Sequence, residues 1–303
     1  MIGPYESPGA FRSALETRLR NSSLERGIDL ERLRRETAFE RMLARLFVSD
    51  DPPWLLKGGY ALELRLADRA RSTLDLDISV PDPERLVLKT AAGKKLSPAR
   101  ATYEQLQQAA SRDLNDGFVF LVGQPKAERT GAPWGGLRCS VETRLAGRTF
   151  VRFHLDVGLG DALLGQPDWV EGSPFLGFAG ISPARIALYP VDQQFAEKAH
   201  AYTFPWRDRD NTRVKDLVDL VLLAQSGQLR PSRIRQALRA TFDARGSHSL
   251  PADLPTPPVD WLDSYAALAE HLGLRPRTLQ AAHAYLTAHW QEWGLSEVGE
   301  PDE

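Results

Sequence analysis

The chain has 303 residues, 42% of them hydrophobic and 26% charged, and a formal net charge of −2. That composition belongs to a folded globular protein and excludes a disordered or fibrous one, while the near-neutral balance excludes coating nucleic acid by bulk charge and leaves only local basic patches for that purpose. The single cysteine, Cys139, excludes an intrachain disulfide and a cysteine-built zinc site, and no uncharged apolar run is long enough for a signal peptide core or a membrane span, so the expected location is the cytoplasm.

The first fifty residues read as helices, because Leu30, Leu33, Ala38, Met42, Leu43 and Leu46 recur at helical spacing until Asp50-Asp51-Pro52-Pro53 stops them. Trp54-Leu55-Leu56 reads as a short strand. Lys57-Gly58-Gly59 follows as a turn, and Ala61, Leu62, Leu64 and Leu66 open a helix. Leu74 to Val80 alternates strictly and predicts a strand closed by Pro81 and Pro83. Ser97-Pro98 starts a helix expected to reach Asn115. Strands are then expected over 118–122, 137–145 and 149–157, joined by short turns, which suggests a largely antiparallel sheet. Residues 158–190 are rich in Gly and Pro and read as a long connection. Five helices follow, over 192–202, 211–225, 232–244, 260–272 and 276–293, with the run PADLPTPP at Pro251–Pro258 as a linker. Trp261, Tyr285, Trp290 and Trp293 sit at helical positions and read as core. The expected organisation is an α+β half over residues 1–190 and a helical domain over 191–303.

Two basic stretches stand out. Arg207, Arg209, Arg213, Lys215, Arg230, Arg233, Arg235 and Arg239 stand against four aspartates, and the N-terminal helices carry Arg32, Arg34, Arg35, Arg41 and Arg45. Either could meet RNA; for any single arginine a solvated helix face is the plainer reading.

The strongest chemical feature is Asp75-Leu76-Asp77 inside an apolar strand. Period-two alternation points both carboxylates to one face. Two carboxylates so close repel each other and call for a compensating cation, and carboxylate oxygens are what Mg²⁺ prefers. A bare D-x-D is more often two aspartates on a solvent face. Its company raises it: Gly58-Gly59 ends a strand and opens a helix, whose N-terminus favours anions and whose glycines allow close backbone approach. Asp156, in His154-Leu155-Asp156-Val157, can join the pair if its strand lies beside that of Asp77; a surface position near a turn fits it equally well. There is no P-loop, no H-E-x-x-H and no G-x-S-x-G, and Gly158-x-Gly160 lacks the third glycine of a dinucleotide fingerprint.

Lys57-Gly58-Gly59-x-Ala61-Leu62 followed by Arg71-x-Thr73-x-Asp75-x-Asp77 resembles the first motif of the AbiEii/AbiGii-type toxins, in the DNA polymerase β-like nucleotidyltransferase superfamily; the MenT toxins are similar. Lys198 with Arg213-x-Lys215-Asp216-x-x-Asp219-Leu220 resembles that family's helical second motif. The resemblance covers roughly residues 50 to 225. Tyr60 departs from it, standing where the family often carries Ser or Thr.

The resemblance implies a polymerase β-like core with a mixed or antiparallel sheet and a helical C-terminal domain. It implies Asp75, Asp77 and Asp156 as ligands of magnesium or manganese, Lys198 and Asp216 as further active-site groups, and Gly58, Gly59, Arg71, Thr73, Lys198 and Arg213 at the nucleotide. The implied reaction moves a nucleoside monophosphate from an NTP to an RNA hydroxyl, at the 3′ end of tRNA, with a cognate antitoxin as protein partner and no membrane. Asp219 could simply brace an arginine or lysine, and Lys215 reads as solvated. In some relatives an antitoxin kinase modifies a Ser or Thr at the position of Thr73. The alternatives are transfer to a small molecule such as an aminoglycoside or to a protein side chain, or a silent nucleotide- or partner-binding module.

Overall fold

The structure is a computed structural model that describes residues 2–86, 95–128, 131–206 and 211–296. Its contacts divide the chain into two units. One comprises Met1–Tyr60, Ser72–Gly160 and Trp169–Leu188; the other Ala61–Arg71, Asp161–Asp168 and Tyr189–Glu303.

The first unit opens with helices α1 (Pro8–Arg26) and α2 (Leu30–Leu46). Each starts on a side-chain cap, the Ser7 hydroxyl accepting from Ala10 N and the Asp29 carboxylate from Arg32 N. Strand β1 (Leu55–Lys57) leads straight into α3 (Gly58–Leu66), and β2 (Asp75–Val80) follows. Helix α4 (Pro98–Ala110) begins at the cap Ser97, as the Ser-Pro signal predicts. It ends at Ala110, five residues before the expected Asn115, and the left-handed Asn115 (φ +54°) and Gly117 (φ +75°) turn the chain into the next strand. Strands β3 (Phe118–Val122), β4 (Lys126–Glu128), β5 (Gly136–Leu145) and β6 (Arg148–Leu159) follow.

The stretch 158–190 is not a bare connection. It holds β7 (Asp168–Glu171), a short 3-10 turn at Pro174–Ala179 and β8 (Arg185–Leu188). Two four-residue strands give too few alternations to stand out among glycines and prolines. Among the described residues the sheet has eight strands in the order β3-β5-β6-β2-β1-β8-β7, with β4 on β5. It is mixed: β5 runs antiparallel to β3, β4 and β6, and β1 antiparallel to β2, but β2–β6 and β1–β8 are parallel.

Alternation gives this sheet one buried face. Leu137, Cys139, Val141, Val151, Phe153, Leu155 and Val157 are buried with Phe39, Met42 and Leu43 of α2. The Phe39 ring meets Phe153 edge-on at 4.9 Å. Two arginines of the N-terminal basic stretch belong to this interior and not to a solvated face. Arg41 and Arg45 are buried and donate to the buried Asp116 at 2.7 Å each. Asp116 also accepts from Phe118 N, so the clamp fixes the start of β3.

The second unit is helical: α5 (Val191–Thr203), α6 (Val214–Gln225), α7 (Pro231–Arg245), α8 (Leu262–His271) and α9 (Leu279–Glu292). Its core gathers Phe195, Ala199, Leu217, Val221, Ile234, Leu238, Tyr265 and Leu286, with Leu62 and Leu66 of α3. Trp261 and Trp290 are buried in it, and Tyr285 and Trp293 pack against it, as their helical spacing predicts. The proline-rich run 251–258 is tied down and does not act as a free linker. Leu254 is buried, Tyr202 Oη donates to Pro255 O at 2.6 Å, and Trp290 Nε1 donates to Ala252 O at 3.0 Å. Of the second basic stretch, Arg207 and Arg209 lie outside the described residues, Arg230 pairs with Asp192 and Arg235 donates to Trp293 O. Among the described residues no helix is long and apolar enough to cross a membrane.

Candidate active site

Strand β2 lies between β1 and β6, and its register aligns charge across the sheet. Lys57 stands opposite Asp77, Asp77 beside Asp156, and Asp156 opposite Arg138. Directly paired residues on neighbouring strands share a face. The rung therefore reads cation, carboxylate, carboxylate, cation across four strands. Asp75, two residues before Asp77, shares that face and lies beside His154.

Arg138 ties the carboxylates together. Its Nη1 donates to Asp156 Oδ2 at 3.0 Å and its Nη2 to Asp75 Oδ2 at 3.2 Å, while His154 Nδ1 lies 3.5 Å from Asp75 Oδ1. Asp75 and Asp156 keep 34% and 20% of their side chains exposed, so a ligand can reach them. Among the described residues no three His, Cys, Asp or Glu side chains already close around one point as a metal requires. The donor set nevertheless fits a hard cation in kind: three carboxylates on one face of two adjacent strands. Arg138 would yield a bond to any cation that enters.

The glycine pair is fitted to these strands. Gly58 is the first residue of α3 with φ +68°, and a Cβ added there would lie 2.0 Å from Asp77 Oδ2. The Asp77 carboxylate thus rests against the positive end of a helix. A Cβ on Gly59 would lie 2.8 Å from Thr73 Cβ and 2.9 Å from its Oγ1. Thr73 Oγ1 donates to Asp75 O at 3.3 Å, so it braces the entry to β2. Tyr60 is buried with its ring 5.0 Å from Phe39, a core anchor for α3 where the family pattern has a hydroxyl residue.

A second charged group forms within the helical unit. Lys198 of α5 reaches Asp216 Oδ1 and Asp219 Oδ2 of α6, both at 2.8 Å. Arg71 grips Asp219 with two bonds, Nε at 2.9 Å and Nη2 at 2.8 Å. Arg213 Nη1 lies 3.5 Å from Asp216 Oδ2. Asp216 and Asp219 share a face because they are one turn apart. Asp219 is fully buried; burial favours its neutral form, but Lys198 and Arg71 outweigh that and hold it below the usual carboxylate range. Burial likewise opposes the Lys198 charge, and Asp216 and Asp219 outweigh it and hold the ammonium well above the ordinary lysine range. Asp219 is therefore the brace of Arg71 and Lys198. Lys215 is exposed, as read.

A family model for the nucleotidyl transferase AbiEii toxin of type IV toxin–antitoxin systems matches residues 41–291, a span that takes in both charged groups. The chain belongs to the AbiEii nucleotidyltransferase toxin family. Family membership makes it a nucleotidyltransferase with a nucleotide substrate and an antitoxin partner. Among solved structures it is similar to MenT4, a nucleotidyltransferase toxin of Mycobacterium tuberculosis H37Rv, with 16% identity, 93% of each chain covered and a TM-score of 0.58. That likeness extends to the fold. A protein of H. pylori crystallised as a candidate nucleotidyltransferase has 15% identity and a TM-score of 0.42, covering 84% of this chain and 96% of its own. No curated protein sequence matches the chain.

Three residues of this AbiEii-family enzyme escaped the sequence reading of the site: Lys57 opposite Asp77, and Arg138 and His154 on the carboxylates. Lys57 was visible in the motif but read as part of a turn. Arg138 becomes visible only once the pairing of β5 with β6 is known to the residue.

Proposed function

We propose that this AbiEii-family enzyme transfers a nucleoside monophosphate from an NTP to the 3′-terminal hydroxyl of a tRNA and so blocks translation. The acceptor oxygen bonds to the α-phosphorus, the bond from that phosphorus to the bridging β-phosphate oxygen breaks, and pyrophosphate leaves. The observation that carries the reading is the alignment of Asp77 with Asp156, and of Asp75 on the same face, across two neighbouring strands. Magnesium or manganese held by Asp75, Asp77 and Asp156 would supply charge neutralisation at the triphosphate and a lowered acceptor pKa.

Asp156 helps take the proton from the acceptor hydroxyl. Gly58 and Gly59 keep the start of α3 close to Asp77 and Thr73. Lys198, Arg71 and Arg213 serve the triphosphate, and Asp216 holds Lys198 in place for it. Three cations against two carboxylates, Asp216 and Asp219, leave that group with one positive charge to offer a polyanion.

The test is label transfer. Purified protein, Mg²⁺ and total tRNA are incubated with each α-labelled NTP in turn, beside Asp75→Ala. Label on tRNA from one or two nucleotides, lost in the variant, is the expected result. NTP consumption without labelled RNA would transfer the reading to a small-molecule or protein acceptor, and absence of NTP binding would leave a silent module.

A further inference from the structure

The face that carries Asp75 does not end there. On the side of β2 away from β1 and the glycine turn, a groove of about 780 Å³ runs over β6, β5 and β3, wholly within the first unit. Asp75 and Arg138 line it where it meets the carboxylates, and Arg35, Arg152, Leu74 and Leu121 line it further out. Its chemistry is two-fold. Leu74 and Leu121 are 63% and 44% exposed, apolar surface turned towards solvent. The groove also gathers three arginines against Asp75 and Glu142.

These arginines are not equally engaged. Arg138 is held by Asp75 and Asp156, and Arg152 by Glu142 at 2.8 Å with 69% of its side chain still exposed. Arg35 of α2 has no ion pair among the described residues, and its buried Nε donates to no acceptor there. With no carboxylate holding it among the described residues, Arg35 keeps its charge for an anion that enters the groove.

A ligand that suits cations beside exposed aliphatic surface has anionic links between flat, largely apolar rings. That is single-stranded nucleic acid, whose phosphates meet Lys or Arg while its bases pack against apolar side chains. We propose that this groove seats the last few nucleotides of the acceptor RNA, phosphates on Arg35 and Arg152 and a base on Leu74 and Leu121, delivering the 3′ hydroxyl to Asp75 and Asp156. The assignment rests on the RNA acceptor proposed above.

The experiment measures binding apart from chemistry. Anisotropy of a 5′-labelled tRNA, and of a short single strand with the same 3′ sequence, is recorded over a salt series. Wild type, Arg35→Ala, Arg152→Ala and the surface control Arg100→Ala are compared, with NTP affinity measured separately. Each groove variant is expected to weaken both RNAs about five- to tenfold, and to flatten log K against log salt by about 0.7 per cation removed. NTP affinity stays at the wild-type value in each, and Arg100→Ala binds both RNAs as wild type does. RNA affinity unchanged in Arg35→Ala and Arg152→Ala would overturn the groove assignment, leave the RNA acceptor standing and point the groove to a protein ligand. A wild-type protein that neither binds nor labels RNA would instead refute the acceptor itself, and this assignment with it.

Discussion

Gly58→Ala perturbs the closest fit in the site. Two costs arise there and can be separated. At φ +68° an L-residue is strained by about 1–2 kcal/mol. In addition, the new methyl would lie 2.0 Å from Asp77 Oδ2, 2.6 Å from its Cγ and 2.7 Å from its Cβ, so strand or helix must move. Such overpacking adds about 1–3 kcal/mol, for roughly 2–5 kcal/mol in all. Gly147→Ala isolates the first cost, since Gly147 has φ +72° and nothing within 4 Å of an added Cβ. Urea denaturation at pH 7 should therefore place Gly58→Ala below Gly147→Ala by about 1–3 kcal/mol. In an Asp77→Gly background, which removes all three clashing atoms, Gly58→Ala should fall to the cost of Gly147→Ala. Nucleotide transfer should drop on the order of 10²-fold in Gly58→Ala, because Asp77 is displaced. Equal costs for Gly58→Ala and Gly147→Ala, or an unchanged cost when Asp77 is glycine, would refute the contact.

Asp219→Ala leaves Arg71 and Lys198 facing each other without their shared carboxylate and should destabilise the helical unit by about 3–5 kcal/mol in urea at pH 7; a loss under 1 kcal/mol would argue against a bracing role. His200 is pushed down to about 3 by burial, with Arg245 and His248 adding to the effect, whereas the unfolded chain takes up the proton near pH 6.5. Its contribution to stability is complete above pH 6.5 and is lost as pH falls towards 3. His200→Asn should therefore lose roughly 2–3 kcal/mol less than wild type between pH 7.5 and pH 4.5, and parallel pH profiles would dismiss the assignment. Thr73→Glu should abolish nucleotide transfer, since a charge placed against Gly59 and the entry to β2 disturbs the path to Asp75; full activity in that variant would remove Thr73 as a control point.

The long elements were legible because their signals repeat. Helix α2 shows its apolar positions over several turns, β2 alternates along its sequence, and β6 alternates from Val151 to Val157. The short strands β7 and β8 gave no such repetition. Arg138 shows how a small irregularity hides a partner. The Ala146-Gly147 turn pairs Leu145 with Arg148, and continuing that register would set Arg138 opposite Leu155, whose side chain is buried. An irregularity between Thr143 and Arg144 shifts the pairing by one and sets Arg138 opposite Asp156. One residue of slip decides which face a side chain meets, and no local pattern announces the bulge. The arginines of α2 misled for a different reason. Arg41 and Arg45 look like surface charge until Asp116, more than seventy positions later, is seen beneath them.

The pairing of β2 with β6 also dictates when the carboxylate face can form during synthesis of the chain. Asp77 and Asp156 meet only after the intervening chain has left the ribosome, and β1 gains its parallel neighbour only when Leu188 arrives opposite Leu56. Contacts so distant in sequence form late, after loop closure has been overcome. A growing chain therefore holds its carboxylates apart until most of its length has emerged. An unfinished chain of this AbiEii-family toxin lacks the paired carboxylate face that the whole chain presents.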